Sequence, residues 1–182
     1  MGFVFLRNEK TEIANDSKTD LIIPEWNIII KDSILGTGVS LWSNLNIYGA
    51  IIGENTKLSS FIEIRKDVQI GRNCKIEPFV FIPEGVTIKD GVFIGPNVTF
   101  TNDIFPKACD DDGKLVSDYR IVPTLVNEFA SIGAGCVIRC GVTIGKKALI
   151  GAGSVIVKNV KAHELWYGKR AKKRGKIEWK RL

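Results

Sequence analysis

Three polar side chains occupy related positions in the sequence, and together they could form a polar site. Glu84 and Asn102 are 18 residues apart, and each lies two places after a large apolar residue. Asp103 follows Asn102 directly. Two carboxylates and an amide offer hydrogen bonds that can hold and orient a polar substrate. Stacked polar residues and an Asn-Asp pair are also ordinary turn chemistry, so the spacing alone leaves both interpretations open.

The scarcity of histidine excludes several kinds of site. The chain has one histidine, His163, which lies well downstream of Asn102. A three-histidine zinc site within one chain is therefore impossible, and we expect no metal. A hydroxyl acceptor would need strong help from a general base, for which the chain offers no well-placed histidine. For a chain that transfers an acyl group, this absence would suit an amine acceptor better than a hydroxyl, because a neutral amine is already a competent nucleophile.

The cysteines and the hydropathy give no sign of export or of a membrane span. No pair of cysteines has the C-x-x-C spacing of a zinc or redox site, so we expect reduced thiols in a cytoplasmic protein. We find no secretory signal and no run near the roughly 18 apolar residues that a membrane span needs. The four cysteines are Cys74, Cys109, Cys136 and Cys140.

A six-residue repeat of large apolar residues governs the chain. It runs without failure through residues 52–100 and 126–156, and it continues upstream to Leu35 with one step a residue short. This period fits neither a helix nor a simple strand, but it fits a short strand followed by a tight turn. Three such units form a coil of 18 residues with inward apolar anchors. Glu84 should then lie beneath Asn102, roughly 5 Å away at the spacing of adjacent strands.

The repeat predicts a single all-β domain, residues 1–182, shaped as a parallel β-helix. Ile23 and Ile29 keep the six-residue step and predict an irregular first coil, whereas the basic C-terminal segment suggests a turn and a short helix. The parts are an N-terminal cap with the first irregular coil (1–30), the β-helix (31–160) and the C-terminal turn and basic helix (161–182).

One insertion interrupts the repeat. The step from Phe100 to Val126 uses 26 residues where six would suffice, so about twenty residues extrude as a loop at about 103–125. Long loops on a regular scaffold commonly carry function. This loop leaves the coil at Asn102 and Asp103, which favours a functional loop.

Basic residues are concentrated at the end of the sequence. The net charge of the whole chain is +6. Such a cluster can be a solvated tail, a nucleic-acid patch or a site for a phosphorylated ligand. We find no interleaving of aromatic and basic residues and no nucleic-acid-binding module, so we expect no nucleic-acid partner. The cluster contains Lys169, Arg170, Lys172, Lys173, Arg174, Lys176, Lys180 and Arg181.

Two stretches resemble a known family. The first is GVFIGPNVTFTND (91–103) followed by PKA (106–108), and the second contains ASIGAGCVI, GVTIG and IGAGSVI (130–156). Both are similar to bacterial hexapeptide-repeat N-acetyltransferases of nucleotide-linked 3-amino sugars. One such group acts on UDP-linked 2-acetamido-3-amino-glucuronate and another on dTDP-linked 3-amino-3,6-dideoxyhexoses. The chain departs from these relatives at Pro96-Asn97, where they often have Gly-His.

The resemblance implies a left-handed β-helix, an acetyl-CoA cosubstrate and a direct attack of the sugar amine on the thioester. Asn102 and Asp103 match the pair that contacts the sugar near its amine, and Glu84 matches an acidic residue one coil below. A backbone N–H near Gly133 or Ala134 would stabilise the oxyanion.

The resemblance also implies a cofactor site between neighbouring copies of a homotrimer. Ala134 and Ala152 would line the pantetheine arm, and Lys158 and Arg170 would lie near phosphates. The enzyme would work in the cytoplasm, in the synthesis of lipopolysaccharide or other surface glycans.

Two other interpretations stay open at this point. The chain could acetylate a 4-amino or hydroxyl group of a sugar, although no histidine is suitably placed for a hydroxyl acceptor. It could also be a non-catalytic β-helix scaffold, against which the extruded loop argues.

Overall fold

The computed structural model describes residues 2–13, 17–110, 112–116 and 120–168, together with the backbone of 172–176. Its described elements are short strands and one 3-10 turn, Pro24–Trp26. In chain order the strands are β1 (Gly2–Leu6), β2 (Glu9–Ile13), β3 (Thr19–Ile23), β4 (Ile28–Leu35), β5 (Val39–Leu41), β6 (Leu45–Tyr48), β7 (Ile51–Ile52), β8 (Lys57–Leu58), β9 (Ile62–Ile64), β10 (Gln69–Ile70), β11 (Lys75–Ile76), β12 (Phe81–Ile82), β13 (Val86–Ile88), β14 (Phe93–Ile94), β15 (Thr99–Phe100), β16 (Thr124–Val126), β17 (Ser131–Ile132), β18 (Val137–Ile138), β19 (Thr143–Ile144), β20 (Leu149–Ile150), β21 (Val155–Ile156), β22 (Glu164–Tyr167) and β23 (Lys172–Lys176).

These strands stack into three parallel faces around one apolar core. Inside each face, a strand pairs in parallel with the strand one coil below and the strand one coil above, which satisfies its backbone groups. The predicted parallel β-helix is therefore confirmed. Face A contains β1, β5, β8, β11, β14, β17, β20 and β22; face B contains the start of β4 with β6, β9, β12, β15, β18 and β21; face C contains the end of β4 with β7, β10, β13, β16 and β19.

The apolar anchors of the six-residue repeat form the core. Ile64, Ile82 and Ile94 are completely buried, and Phe100 is 1% exposed. The first coils are one residue shorter than the others, because Leu35 pairs with the residue 17 places on, whereas the later coils pair at 18. The step of five residues from Ile47 to Ile52 is therefore the point at which a lower coil is one residue shorter.

Glycine follows many anchors because coils approach each other closely at that corner. A Cβ on Gly133 would lie 2.6 Å from the backbone nitrogen of Ala152, one coil above. Positive φ angles occur two residues later instead, for example 56° at Asn55 and 58° at Asn97. Asparagine suits that position because it tolerates the left-handed backbone better than most residues do.

Two antiparallel hairpins build the N-terminal end. Strands β1 and β2 are joined through Arg7 and Asn8, which both have positive φ, as tight hairpin turns require. Strand β3 runs antiparallel to β4. The prediction that Ile29 points inward was wrong: Ile28 and Ile30 are fully buried, and Ile29 is 42% exposed. The alternation of β4 sets this phase, which the six-residue step could not show.

The predicted C-terminal helix was also wrong. The described part of this segment forms β22, which continues face A, and β23, which pairs antiparallel with it. Lysine and arginine are good helix formers, but the open edge of face A offers backbone hydrogen bonds to a strand. Trp166 takes the anchor position above Ile150 and is 9% exposed, so it closes the core. Residues 177–182 lie outside the described chain.

In the described parts of the chain, no helix has the length and apolar character needed to span a membrane.

Candidate functional site

The extruded loop leaves and returns at a single corner between faces B and C. Strand β13 pairs with β16 in the register Val86 to Thr124. The inserted twenty residues therefore leave the pairing between successive coils unchanged. The backbone N–H of Val122 donates to the carbonyl of Asn102 at 2.9 Å, and that of Thr124 donates to the carbonyl of Gly85 at 3.0 Å. The backbone of Glu84–Gly85 and of Asn102 is thereby tied to the loop ends.

Glu84 and Asn102 are in direct contact at this corner. The Asn102 side-chain Nδ2 donates to Glu84 Oε2 at 3.1 Å. Glu84 is 4% exposed, whereas Asn102 is half-buried and lies at the surface of the corner. The 18-residue spacing therefore predicted this contact correctly, with the carboxylate beneath the amide.

Asp103 begins the loop. Its Oδ1 accepts a hydrogen bond from the backbone N–H of Phe105 at 2.9 Å, which is the side-chain-to-backbone turn typical of aspartate. The side chain is half-buried beside Asn102. One carboxylate oxygen thus shapes the start of the loop.

Arg65 and Glu63 join the site from the coil below, and the sequence analysis missed both. Arg65 Nε lies 3.0 Å from Glu63 Oε1, and its Nη1 lies 4.0 Å from Glu84 Oε1. Burial lowers the pKa of Arg65, but the hydrogen bond that Arg65 donates to Glu63 and the negative charges around it outweigh burial and raise that pKa overall. The guanidinium is therefore a fixed cation beneath a buried carboxylate.

Two aromatic rings flank the Arg65 guanidinium. Its central carbon lies 5.9 Å from the ring centre of Tyr48 and 5.7 Å from that of Phe81, within the range of cation–π contacts. Arg65 follows an anchor by one place and lies 19 residues before Glu84. Stacked positions are 18 residues apart, so a spacing of 19 does not by itself predict a contact. The long arginine side chain makes the contact of Arg65 with Glu84 possible.

The predicted cofactor residues Ala134 and Ala152 stack at a different corner, between faces A and B. The N–H of Gly153 donates to the carbonyl of Ala134 at 2.8 Å, which joins the two coils. A Cβ added at Gly135 or Gly153 would meet nothing within 4 Å, so the strip beside the two alanines is open. The N–H of Gly133 already donates to Ile150 O, so of the two expected oxyanion donors Gly133 is unsuitable.

The other predicted residues lie at separate places. Lys158 is exposed in the same corner column as Asn102, two coils above it by the register of β15, β18 and β21. Arg170 lies outside the described residues. His163 is an exposed turn residue with φ of 59°, and its backbone N–H donates to Lys146 O. Within the described ranges, no three His, Cys, Asp or Glu side chains are grouped to hold a metal ion.

The four cysteines are free thiols. Cys109 is exposed in the loop, and Cys74, Cys136 and Cys140 are buried. Burial raises the pKa of the Cys74 and Cys136 thiols, which keeps them protonated and unreactive near neutral pH.

Curated relatives of this chain include bifunctional GlmU proteins. That of Heliobacterium modesticaldum is 27% identical over 172 residues, covering 80% of this chain and 36% of the relative. That of Thermotoga maritima is 34% identical over 121 residues, covering 66% of this chain and 24% of the relative. The chain therefore spans less than two fifths of the length of these relatives.

Solved structures that contain CoA or an acyl-CoA share the fold. AntD, an N-acyltransferase from Bacillus cereus in complex with dTDP and 3-hydroxybutyryl-CoA, has a TM-score of 0.68 and 19% identity, covering 80% of this chain and 83% of AntD. PerB from Caulobacter crescentus, in complex with CoA and GDP-perosamine, has a TM-score of 0.61 and 21% identity, covering 75% of this chain and 57% of PerB. At these identities the likeness shows the fold.

The repeats themselves match a family profile. The profile is described as bacterial transferase hexapeptide (six repeats), and it matches residues 49–83, 67–102 and 123–158. The gap between the last two matches is the extruded loop, and the matched segments are the stacked coils of the prism. The left-handed hexapeptide β-helix that the resemblance implied is thereby confirmed, and the chain belongs to the hexapeptide-repeat family of bacterial transferases.

Proposed function

We propose that this protein is an acetyl-CoA-dependent N-acetyltransferase that acts on the 3-amino group of a nucleotide-linked amino sugar. The observation that carries the proposal is the contact of Asn102 with buried Glu84 at the corner where the long loop leaves the β-helix. The family supports a transferase. CoA or acyl-CoA and a nucleotide or nucleotide sugar are bound in the structures of PerB and AntD.

In the proposed reaction the sugar amine attacks the thioester directly. Asn102 and Asp103 orient the neutral amine by hydrogen bonds, and Glu84 acts through Asn102 because its own side chain is almost fully buried. The new C–N bond forms as the C–S bond breaks, and the proton lost by the amine passes to the departing thiolate. Orientation supplies much of the rate, since a neutral amine needs little activation. Ala134 N–H remains the candidate oxyanion donor.

The open strip beside Ala134 and Ala152 is the proposed track of the pantetheine arm. Its glycine and alanine residues leave room for a narrow chain along the corner. Lys158 and Arg170 are the proposed phosphate contacts, since cations complement the phosphates of the cofactor.

The geometry of the two corners supports a homotrimer with sites between subunits. The alanine corner and the Asn102 corner stand at opposite ends of face B, roughly 15–20 Å apart for an extended chain. A neighbouring copy could bring one corner against the other. The loop also exposes apolar side chains, Phe105 at 81% and Leu115 at 78%, that a neighbour would cover. Light scattering coupled to size-exclusion chromatography tests this: a monomer would contradict it.

A free-thiol release assay tests the reaction. Acetyl-CoA would be supplied with UDP-, dTDP- and GDP-linked 3-amino and 4-amino sugars. We expect thiol release with one 3-amino acceptor, and the acceptor that reacts identifies the nucleotide that the enzyme recognises. Release only with a 4-amino acceptor would move the reaction to that position. If no thiol is released but the protein binds CoA, the acceptor lies outside nucleotide sugars. If no thiol is released and CoA does not bind, the result favours a non-catalytic β-helix scaffold.

Variants of the two proposed orienting residues test the mechanism. Asn102→Ala and Asp103→Ala should each lower kcat about 100-fold, because a misplaced amine loses the orientation that drives the step. Both residues lie outside the buried anchors, so circular dichroism should show an intact fold. The control is Asn46→Ala, on the outer side of face B in a lower coil, which should keep wild-type activity. Wild-type rates in both test variants would remove these residues from the active site.

The setting of the reaction follows from the same proposal. Acetylated nucleotide sugars are precursors of lipopolysaccharide and other surface glycans, and we propose that the enzyme makes them in the cytoplasm.

A further inference from the structure

A chain of polar contacts runs up three coils and ends at Asn102. Glu63 contacts Arg65 within one coil, Arg65 lies against Glu84 in the next, and Glu84 accepts from Asn102 in the third. The Glu84 side chain is 5% exposed, so its charge is removed from water. A buried carboxylate is costly unless it is paired and hydrogen-bonded. In the described structure its partners are the cation below and the amide above.

Arg65 is well fixed for the task of holding Glu84. Its Nε donates to Glu63 Oε1 at 3.0 Å, and the rings of Tyr48 and Phe81 lie within cation–π range at 5.9 and 5.7 Å. A planar guanidinium held by several neighbours keeps its charge in one place. That charge lies beside Glu84, with Nη1 4.0 Å from Oε1, which is the distance of an ion pair without a hydrogen bond.

The carboxylate in turn decides which way round the Asn102 amide lies. An ionised carboxylate can only accept hydrogen bonds, so the amide must direct its NH2 group to Glu84. Its oxygen, Oδ1, is then left to face the other way. An amide oxygen accepts an N–H from an amine, whereas the reversed amide would present donors to the amine and compete for its lone pair.

We infer that Arg65 is a positioning residue: through Glu84 it fixes the Asn102 amide so that Oδ1 accepts an N–H of the sugar amine and leaves the nitrogen lone pair aimed at the thioester. This inference rests on the proposed function, because it requires an amine acceptor at Asn102. It assigns a role to a residue that touches neither substrate in the proposed reaction.

The test compares Arg65→Met, Arg65→Lys and a control, Arg72→Met, in steady-state kinetics with the full chain. Arg65→Met should lower kcat roughly 10- to 100-fold, as expected for a misoriented reacting group, and leave the KM for acetyl-CoA within twofold. Arg65→Lys should recover part of the loss, since the charge remains but the fork geometry does not. Arg72 also pairs with a carboxylate, that of Asp90 at 3.1 Å, but at another corner, so Arg72→Met should be unaffected.

Two readouts separate positioning from a general loss of structure. The first is a fall in kcat with an unchanged KM for acetyl-CoA, and the second is partial recovery of kcat in Arg65→Lys. Should Arg65→Met fail to fold, Arg65→Lys alone should show a lowered kcat with an unchanged KM for acetyl-CoA.

The outcomes distinguish this inference from the function on which it rests. A normal kcat in folded Arg65→Met, or in Arg65→Lys if the Met variant does not fold, with an active wild type, would overturn the role of Arg65 alone. A wild-type protein that transfers no acetyl group to any amine would overturn the proposed function, and the positioning role would fall with it.

Discussion

Thr124 is a polar residue in a column of valines. It begins β16 directly above Val86 and below Val142, is 2% exposed, and its Oγ1 has no hydrogen-bond partner in the described structure. A buried hydroxyl without a partner costs about 1–3 kcal/mol. The residue at the return of the loop is therefore less stabilising than valine would be.

Thr124→Val should raise the free energy of unfolding by about 1 kcal/mol, since valine has nearly the same shape and needs no hydrogen bond. Urea unfolding at a fixed protein concentration measures the change. Thr87→Val is the control: Thr87 lies on the neighbouring strand, faces outward and is half-buried, so its change should stay within about 0.5 kcal/mol. Equal stability of Thr124→Val and wild type would show that water satisfies the hydroxyl.

At the residue scale, spacing predicted contacts between short side chains and failed for long ones. Glu84 and Asn102 are one coil apart, and a carboxylate can reach the amide directly above it. Arg65 reaches Glu84 from a different position in the repeat, with a long side chain whose direction depends on two neighbouring rings. The direction of the Arg65 side chain depends on how the surrounding side chains pack, and the periodicity of the sequence carries no information about that packing. The roles of all these residues remain predictions.

At the scale of elements, the loop packs against the backbone that carries Glu84. A Cβ added to Gly85 would lie 2.5 Å from Cγ2 of Ile121, in the returning arm of the loop. Gly85 also has a φ of 85°, which L side chains adopt only with strain. This glycine thus allows the loop to close down on the corner.

Gly85→Ala should therefore displace the returning arm and lower kcat/KM about tenfold. Gly113→Ala is the matched control, since Gly113 lies in the same loop with a φ of 78° and an added Cβ there meets nothing within 4 Å. Both variants carry the backbone strain of alanine at positive φ, roughly 1–2 kcal/mol, so their difference isolates the steric contact. Equal kinetics in the two variants would mean that the loop tolerates the shift.

The elements that the sequence predicted correctly are those that obey the repeat. Each coil from β7 to β21 places its anchor where the six-residue step requires, because an inward residue has no alternative in a prism one side chain wide. The N-terminal and C-terminal ends of the β-helix are instead determined by the pairing of open sheet edges. Antiparallel hairpins complete the open edges of the faces, and neither the phase of Ile29 nor the strand in place of a C-terminal helix follows from a hexapeptide step.

At the scale of the whole molecule, basic residues are concentrated at the end of the sequence. They follow β22 in the chain, and β22 pairs with β20 in the coil next to Ala152. A cofactor with a pyrophosphate and a further phosphate would be attracted to that end. The side chains of this cluster lie outside the described residues, so their contacts remain a prediction.

Replacing Lys169, Arg170, Lys172 and Lys173 with alanine should raise the KM for acetyl-CoA roughly tenfold at low salt, with little change in kcat. The difference should shrink as salt increases, because ionic strength screens exposed charges. Lys10→Ala with Lys18→Ala, at the other end of the chain, is the control for a general change in net charge. A KM that stays at the wild-type value would mean that the cluster is solvated and takes no part in binding.

The junction of the loop with the prism has a consequence for how such proteins diversify. The coils above and below the insertion keep the same register that they would have without it, since β13 pairs with β16 as though the two were adjacent in the chain. The supporting architecture therefore does not depend on the length or the content of the excursion. Evolution can therefore lengthen, shorten or replace this loop to suit a new acceptor. The coils of the β-helix need no matching change.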